Sequence, residues 1–299
     1  MKSKLQNITA MLIFGTIGIF VKNIDLSSKE IALMRGIIGS IFLIFIAIFS
    51  KDKISFKGIK KNFILLFISG IGIGINWIFL FQAYKYTTIS AATLSYYFAP
   101  VFVTLLSPII LKEKLPIIKI VCISAAMLGM FFIVKGTNGN SNFENITYNH
   151  TLGIIYGLSA AIFYGSVILM NKFIKELKSL ETTLTQLILA SLVLFPYVMF
   201  TDGIKVFTTS MSSLTFLIIL GIIHTGFAYF LYFSSIKDLK GQTIAVLSYI
   251  DPISAVIISA FLLKESMTFG QVIGGILILS STFISENYTK LKIFNKRDS

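Results

Sequence analysis

At 299 residues, 55% hydrophobic and only 13% charged, with a mean hydropathy of +0.85, the chain carries more apolar side chain than a soluble fold of this length can bury; soluble domains are about a quarter charged. The net charge of +13 does not indicate a nucleic-acid partner, because the basic residues fall in short clusters between apolar runs and form no continuous face. The single cysteine, Cys122, excludes an internal disulfide and any CxxC-type metal or redox site.

In chain order, apolar runs of the ~20 residues that a helix needs to cross a bilayer fall at 5–22, 31–50, 62–84, 89–111, 116–134, 152–171, 182–200, 213–235, 243–263 and 268–286. The first follows Lys2 and Lys4 as a secretory signal would. No small-residue cleavage site comes after it, and Lys22 closes a run of spanning length, so it reads as a retained span. Polar punctuation such as Asp25-Leu26-Ser27-Ser28, Lys51-Asp52-Lys53 and Asp202-Gly203 separates the runs. With the N-terminus in the cytoplasm, nineteen of the 26 basic residues lie on the cytoplasmic side and six outside, with Arg35 inside a span. That alternating bias predicts an all-α integral membrane protein with ten transmembrane helices and both termini cytoplasmic.

The third and fourth runs resemble the eighth and ninth. Asn76–Leu115 aligns without gaps to Ala228–Met267, 152 residues on, pairing Tyr97 with Tyr249, Pro100 with Pro252, Ser107 with Ser259 and Leu111-Lys112-Glu113 with Leu263-Lys264-Glu265. The halves are then 5–135 and 152–286. Five spans is an odd number, so the second half is expected to enter the membrane upside down, as inverted repeats do in secondary transporters.

The segments from Pro100-Val101 to Leu111-Lys112-Glu113-Lys114-Leu115 and from Asp251-Pro252 to Leu263-Lys264-Glu265, with Arg35 in the second span, resemble the ten-span drug/metabolite transporter superfamily in its EamA-like branch. That resemblance covers residues 5–286. It implies a permease of the bacterial inner membrane, usually an exporter of small metabolites such as amino acids or amines, driven by a gradient and not by ATP. Members commonly carry Glu before the second proline; Asp251 here keeps the charge and shortens the reach by one methylene. An ion channel or a non-transport membrane scaffold is the alternative that the same spans would serve. No GxxxxGK[ST], HExxH or GxSxG segment occurs, so neither catalysis, nor a cofactor, nor a metal is expected. The expected partners are a small-molecule substrate and the lipid bilayer, with the chain a monomer or homodimer.

Ionisable groups deep in hydrocarbon are costly, which makes Arg35, His224 and Asp251 the leading candidates. Asp251 shares a helical face with Ser248, Pro252, Ala255 and Ser259. It reads as a group that takes up a proton or pairs with a substrate ammonium, or else as a structural carboxylate bonded to hydroxyls. Pro252 removes a backbone donor beside it. His224 reads as a proton relay to Asp251 or a hydrogen-bonded interior residue. Arg35 reads as structural or gating, snorkelling outward or neutralising a carboxylate of another helix. Thr93, Tyr96, Tyr97, Pro100, Thr104 and Ser107 form a polar stripe on the fourth run. Asn76, Trp77, Tyr164 and Tyr249 are candidates for the same cavity, where aromatics beside one acid would suit an amine. Glu113 and Glu265 mark the ends of the repeated segments as gating candidates, and His150 is placed in an exposed loop. Gly153, Gly157, Ala161 and Gly165 recur every four residues, a stripe that permits close helix contact.

Overall fold

A computed structural model describes residues 2–49, 54–112, 115–137, 149–236, 239, 244, 247–265 and 267–295. It is helical throughout the described residues. Eight helices are long and apolar enough to cross a membrane: α1 (Lys2–Lys22), α2 (Ser28–Phe49), α3 (Phe63–Tyr86), α4 (Ile89–Ile110), α5 (Ile117–Gly136), α6 (His150–Asn171), α7 (Ser179–Thr201) and α8 (Met211–Ser235). Two shorter apolar helices follow, α9 (Ile250–Leu262) and α10 (Phe269–Ser285). The ten expected spans are thus met by eight spanning helices and two shorter ones. The expected ninth run begins among residues partly outside the described set, and the helix beyond it starts only after a turn at Tyr249.

Local chemistry sets the helix ends. Thr88, Asn149 and Ser210 accept from backbone N–H groups of Ala91, Leu152 and Ser213, capping α4, α6 and α8. Several of the long helices are interrupted. α1 breaks at Thr16, α4 at Tyr97–Phe98, and α8 widens into a π-helix over Leu220–Phe227. Pro100 and Pro252 sit in the first turns of the segments beginning at Ala99 and Ile250, where a missing N–H costs nothing. Pro108, inside α4, deprives the Thr104 carbonyl of its donor. Ser107 Oγ supplies one instead, at 3.0 Å.

α5 packs on α10, α3 on α6 and α7, α2 on α7 and α8, α1 on α8 and α9, and α4 on α6 and α9. The largest buried cluster joins α1, α2, α3, α7 and α8 through residues such as Leu33, Leu43, Phe81, Leu187 and Leu220. Small residues bring these helices close. A Cβ at Gly74 would lie 3.2 Å from Leu194, and one at Gly226 only 2.5 Å from Phe42. Phe200, Phe261 and Ile117 turn outward, with Phe200 90% exposed; large apolar groups at that exposure are stable facing lipid, not water.

The two ends of the bundle are tied differently. At the Asp25 end, Lys22 meets Glu265 (2.7 Å) and Lys29 meets Asp202 (2.9 Å). At the Asn62 end, Lys61 meets Glu176 (2.5 Å) and Asn62 Nδ2 donates to the Lys175 carbonyl.

Candidate functional site

Two charged side chains anchor the interior. Asp251 lies in the first turn of α9, where helix N–H groups lack intrahelical partners. Its Oδ2 accepts from Tyr97 Oη at 2.5 Å. Tyr97 occupies the break in α4, so the helix interruption aims the phenol across the α4–α9 contact. α1 crosses closely over this point: a Cβ at Gly15 would lie 2.0 Å from Ser254 Oγ and 2.9 Å from the Asp251 carbonyl oxygen.

Arg35 is buried, 3% exposed. Its guanidinium lies over the Trp77 ring (4.4 Å) and beside Phe81 (5.6 Å), while Nε donates to Thr225 Oγ1 at 2.7 Å. The expected snorkelling does not occur. Seven residues into α2, the side chain is drawn inward by an aromatic platform and a hydroxyl of α8. Nor does Arg35 pair with a carboxylate within 4.0 Å among the described residues. Tyr96, Tyr97, Tyr229 and Asp251 all keep some accessible surface, and Tyr96 and Tyr229 pack against the cluster that holds Trp77 and Phe81.

The remaining sequence candidates divide. Tyr96 stands 6.0 Å from the Tyr97 ring and 5.4 Å from that of Tyr164, linking α4 to the exposed Tyr164 of α6. Trp77 is the Arg35 platform. Asn76, by contrast, is sealed, its Nδ2 donating to the Ala160 carbonyl and binding α3 to α6. Tyr249 packs edge-on against Phe283 of α10 (5.5 Å), and Pro252 is buried. Pro100 and Thr104 turn the other way, lining a small cleft with Cys122, Ser281, Thr282 and Ser285 that includes neither Arg35 nor Asp251. The polar stripe read on α4 thus has Tyr97 at Asp251 and Pro100 and Thr104 at this cleft.

His224 does not meet Asp251. Its Nε2 lies 2.8 Å from Thr16 Oγ1 and its ring 4.5 Å from Phe20. Thr16 Oγ1 also donates to the Ile13 carbonyl, and His224 Nδ1 lies 3.4 Å from the Ile219 carbonyl, so the ring tautomer sets the direction of the Thr16 bond. It joins the break in α1 to the π-helix of α8. His150, expected in a loop, is the first residue of α6 and is buried, with Nδ1 2.8 Å from Thr87 Oγ1.

Glu265 is 8% exposed and gathers the Asp25 end. Its carboxylate accepts from Lys22 Nζ and from the backbone N–H of Ile89 (3.1 and 3.0 Å) and Ser90 (3.5 Å) at the start of α4. Ser90 Oγ and Ser259 Oγ lie 2.8 Å apart beside it. Glu113, its counterpart in the sequence, lies outside the described residues.

Two carboxylates escaped the sequence reading. Glu30, fully buried, accepts from the backbone N–H of Lys205 and Val206 at 2.7 Å each. Glu181 accepts from the Ser55 N–H at 2.8 Å and from Lys178 N–H at 2.6 Å. The repeat itself held the signal: Leu26, Ser28 and Glu30 match Leu177, Ser179 and Glu181 at a spacing of 151 residues.

The sequence matches the EamA-like transporter family over residues 3–135 and 151–286. The chain belongs to that family. It is therefore a membrane transporter of the drug/metabolite transporter superfamily. An uncharacterized transporter of Bacillus subtilis, YxxF, is 29% identical over 276 residues, covering 92% of this chain and 86% of that one. An uncharacterized inner membrane transporter of Salmonella typhimurium, YicL, is 24% identical, covering 95% and 94%. A solved crystal structure superposes with a TM-score of 0.60 at 17% identity, covering 95% of this chain and 96% of the other, which speaks for a shared fold.

Proposed function

We propose that this EamA-like transporter is a secondary carrier of ten spans, built as inverted five-helix repeats over residues 5–135 and 152–286. In this reading it exports a small polar metabolite, an amino acid or amine, across the cytoplasmic membrane by alternating access. Asp251 serves as the proton-coupling or ammonium-binding group, and the Asn62 end and both termini face the cytoplasm. The molecule acts as a monomer or homodimer.

The observation that carries this reading is an interchange of contacts between the halves. Gly74 opposite Leu194 becomes Gly226 opposite Phe42 when each number is moved by 152. Gly70 against Leu189 becomes Gly221 against Ile38 on a move of 151, and Glu30 bonded to Val206 N–H becomes Glu181 bonded to Ser55 N–H. Lys112 and Lys264 share a left-handed backbone (φ 55° and 53°) after equivalent helices. Ser90, near the start of α4, meets Ser259, near the end of α9, so the helices carrying Pro100 and Pro252 run in opposite directions. A two-fold axis in the membrane plane would generate these relations, and such an axis is how one polypeptide presents the same site to either side in turn.

With the Asp25 end facing out, the Glu265 contacts close the outer mouth, and the half-buried Asp251 and tyrosines are reached from the cytoplasmic side. The decisive test is transport in proteoliposomes, with substrates drawn from a metabolite-accumulation profile of cells with and without the protein. Asp251→Asn is expected to abolish pH-dependent flux. Flux and pH profile both unchanged in that variant would remove Asp251 from the mechanism, and unitary current steps would replace the carrier by a channel.

A further inference from the structure

The Arg35 guanidinium is a buried cation with incomplete compensation. A charged side chain at this depth in hydrocarbon costs about 3 kcal/mol or more unless partners offset it. Here the partners are one hydroxyl, Thr225 Oγ1, on Nε, and two ring faces, Trp77 and Phe81. No carboxylate comes within 4.0 Å among the described residues. Nε makes the hydrogen bond that ties the group to protein among the described residues, which leaves the two Nη atoms as the outer edge of the fork. Tyr96 and Tyr229 pack against the same buried cluster as Trp77 and Phe81, and Tyr96 leads through Tyr97 to Asp251, which sets that edge beside the tyrosines.

We infer that Arg35 is the anion-binding group of the central site, receiving the carboxylate of the transported molecule on its Trp77-backed fork. The inference rests on the proposed carrier reading, in which Asp251 belongs to the same central site. A planar guanidinium stacked on an indole is held rigidly in one orientation and presents parallel N–H donors, a geometry suited to two carboxylate oxygens and unlike the point charge of lysine. Thr225 accepts from Nε while donating to the Leu220 carbonyl. The π-helix of α8 thus supplies the hydroxyl that fixes the other side of the fork, a frequent placement for π-bulges. A ligand bearing both charges would lie with its carboxylate at Arg35 and its ammonium toward Asp251. Its two charges would then complete the two half-compensated groups at once. A ligand with an ammonium alone would bring a second cation beside Arg35, and the site would disfavour it.

The test uses the full chain in lipid nanodiscs, with binding read by thermal shift and by calorimetry. The probes are the L-amino acids, their decarboxylated amines and the matching deaminated monocarboxylates. The wild-type protein is expected to bind at least one amino acid at least tenfold more tightly than its amine. Arg35→Lys keeps the charge and is the variant chosen to preserve folding. It is expected to weaken the amino acid and the monocarboxylate tenfold or more while leaving the amine within about twofold, a split that a purely structural role would not give. Arg35→Gln should extend the loss. Preference of the wild type for amines, absence of binding by every carboxylate-bearing probe, or equal weakening of all three classes in Arg35→Lys would overturn the assignment. Asp251→Asn separates the two ideas. Loss of flux in that variant alongside an unaltered Arg35→Lys binding profile would leave the carrier reading standing and this inference refuted.

Discussion

Tyr97 and Asp251 depend on each other in a way that can be measured one atom at a time. The phenol is the hydrogen-bond donor fixing Oδ2, at 2.5 Å, and a hydrogen bond to a charged group contributes about 1.5–3 kcal/mol. Tyr97→Phe removes only the hydroxyl. Transport is expected to fall about tenfold, since each 1.4 kcal/mol is a factor of ten, with a modest fall in melting temperature from the lost bond; an unaltered transport rate would show that Asp251 works without this partner. Outside the membrane, Asp202 is held below the usual carboxylate range by its hydrogen bond from Lys29, with Ser27 and the charges of Lys29 and Lys205 adding to the effect against a smaller opposing desolvation. A depressed acid stabilises the fold above its unfolded value, near pH 4, and that contribution is lost as pH falls through the lower folded value. The pair is a quarter exposed, so the effect is under about 1 kcal/mol. Asp202→Asn should therefore lower the melting temperature of the detergent-solubilised protein slightly at neutral pH. The gap to wild type should close as pH falls through the lowered folded value of Asp202.

Helix existence was legible from the apolar runs, and all eight long helices fall where those runs predicted, because burial in lipid and spanning length are both written in composition. The interruptions were not legible. Thr16, Tyr97 and the π-turns at Leu220–Phe227 lie in apolar stretches whose residue types differ little from their neighbours, and only tertiary partners such as His224 and Asp251 hold those deviations in place. The cleft that Pro100 and Thr104 line with α5 and α10 was likewise not legible, since its other walls come from distant parts of the chain. Arg35 was singled out as a deep charge, but its inward course was not legible, because it is set by Trp77 on a different helix. The helix pair α5–α10 offers a sharp test of close packing. A Cβ at Gly274 would lie 2.4 Å from the Gly129 carbonyl oxygen, a backbone atom that cannot rotate aside. Gly274→Ala should force the two helices apart and destabilise the protein by about 1–3 kcal/mol, seen as lower detergent-resistant yield and a reduced melting temperature. Retention of wild-type stability would mean that α5 and α10 separate freely.

At the scale of the molecule, closure at the Asp25 end rests on α4 meeting α9. With Cys122 as the only cysteine, a background free of native thiols needs one substitution, Cys122→Ser. Into it, Ser90→Cys and Ser259→Cys place two sulfurs where hydroxyls now lie 2.8 Å apart, within reach of a disulfide. Oxidation should arrest transport and reduction should restore it; unimpeded transport by the fully cross-linked protein would show that this contact never opens. The contacts between α4 and α9 were foreshadowed by the matched Pro100 and Pro252 segments, whereas the backbone amides that Glu30 and Glu181 reach were not, since only the repeated acids themselves leave a mark in the sequence.

Those stitches have a bearing on biogenesis. Glu30 waits for the amides of Lys205 and Val206, and the amide of Ser55 waits for Glu181. When the ribosome has delivered the first five helices, a buried acid and a stranded amide are both still without the atoms that satisfy them. The amino-terminal portion should consequently persist as a loosely assembled, protease-sensitive species in the bilayer until α7 and the stretch before α8 arrive, making maturation a late and concerted event.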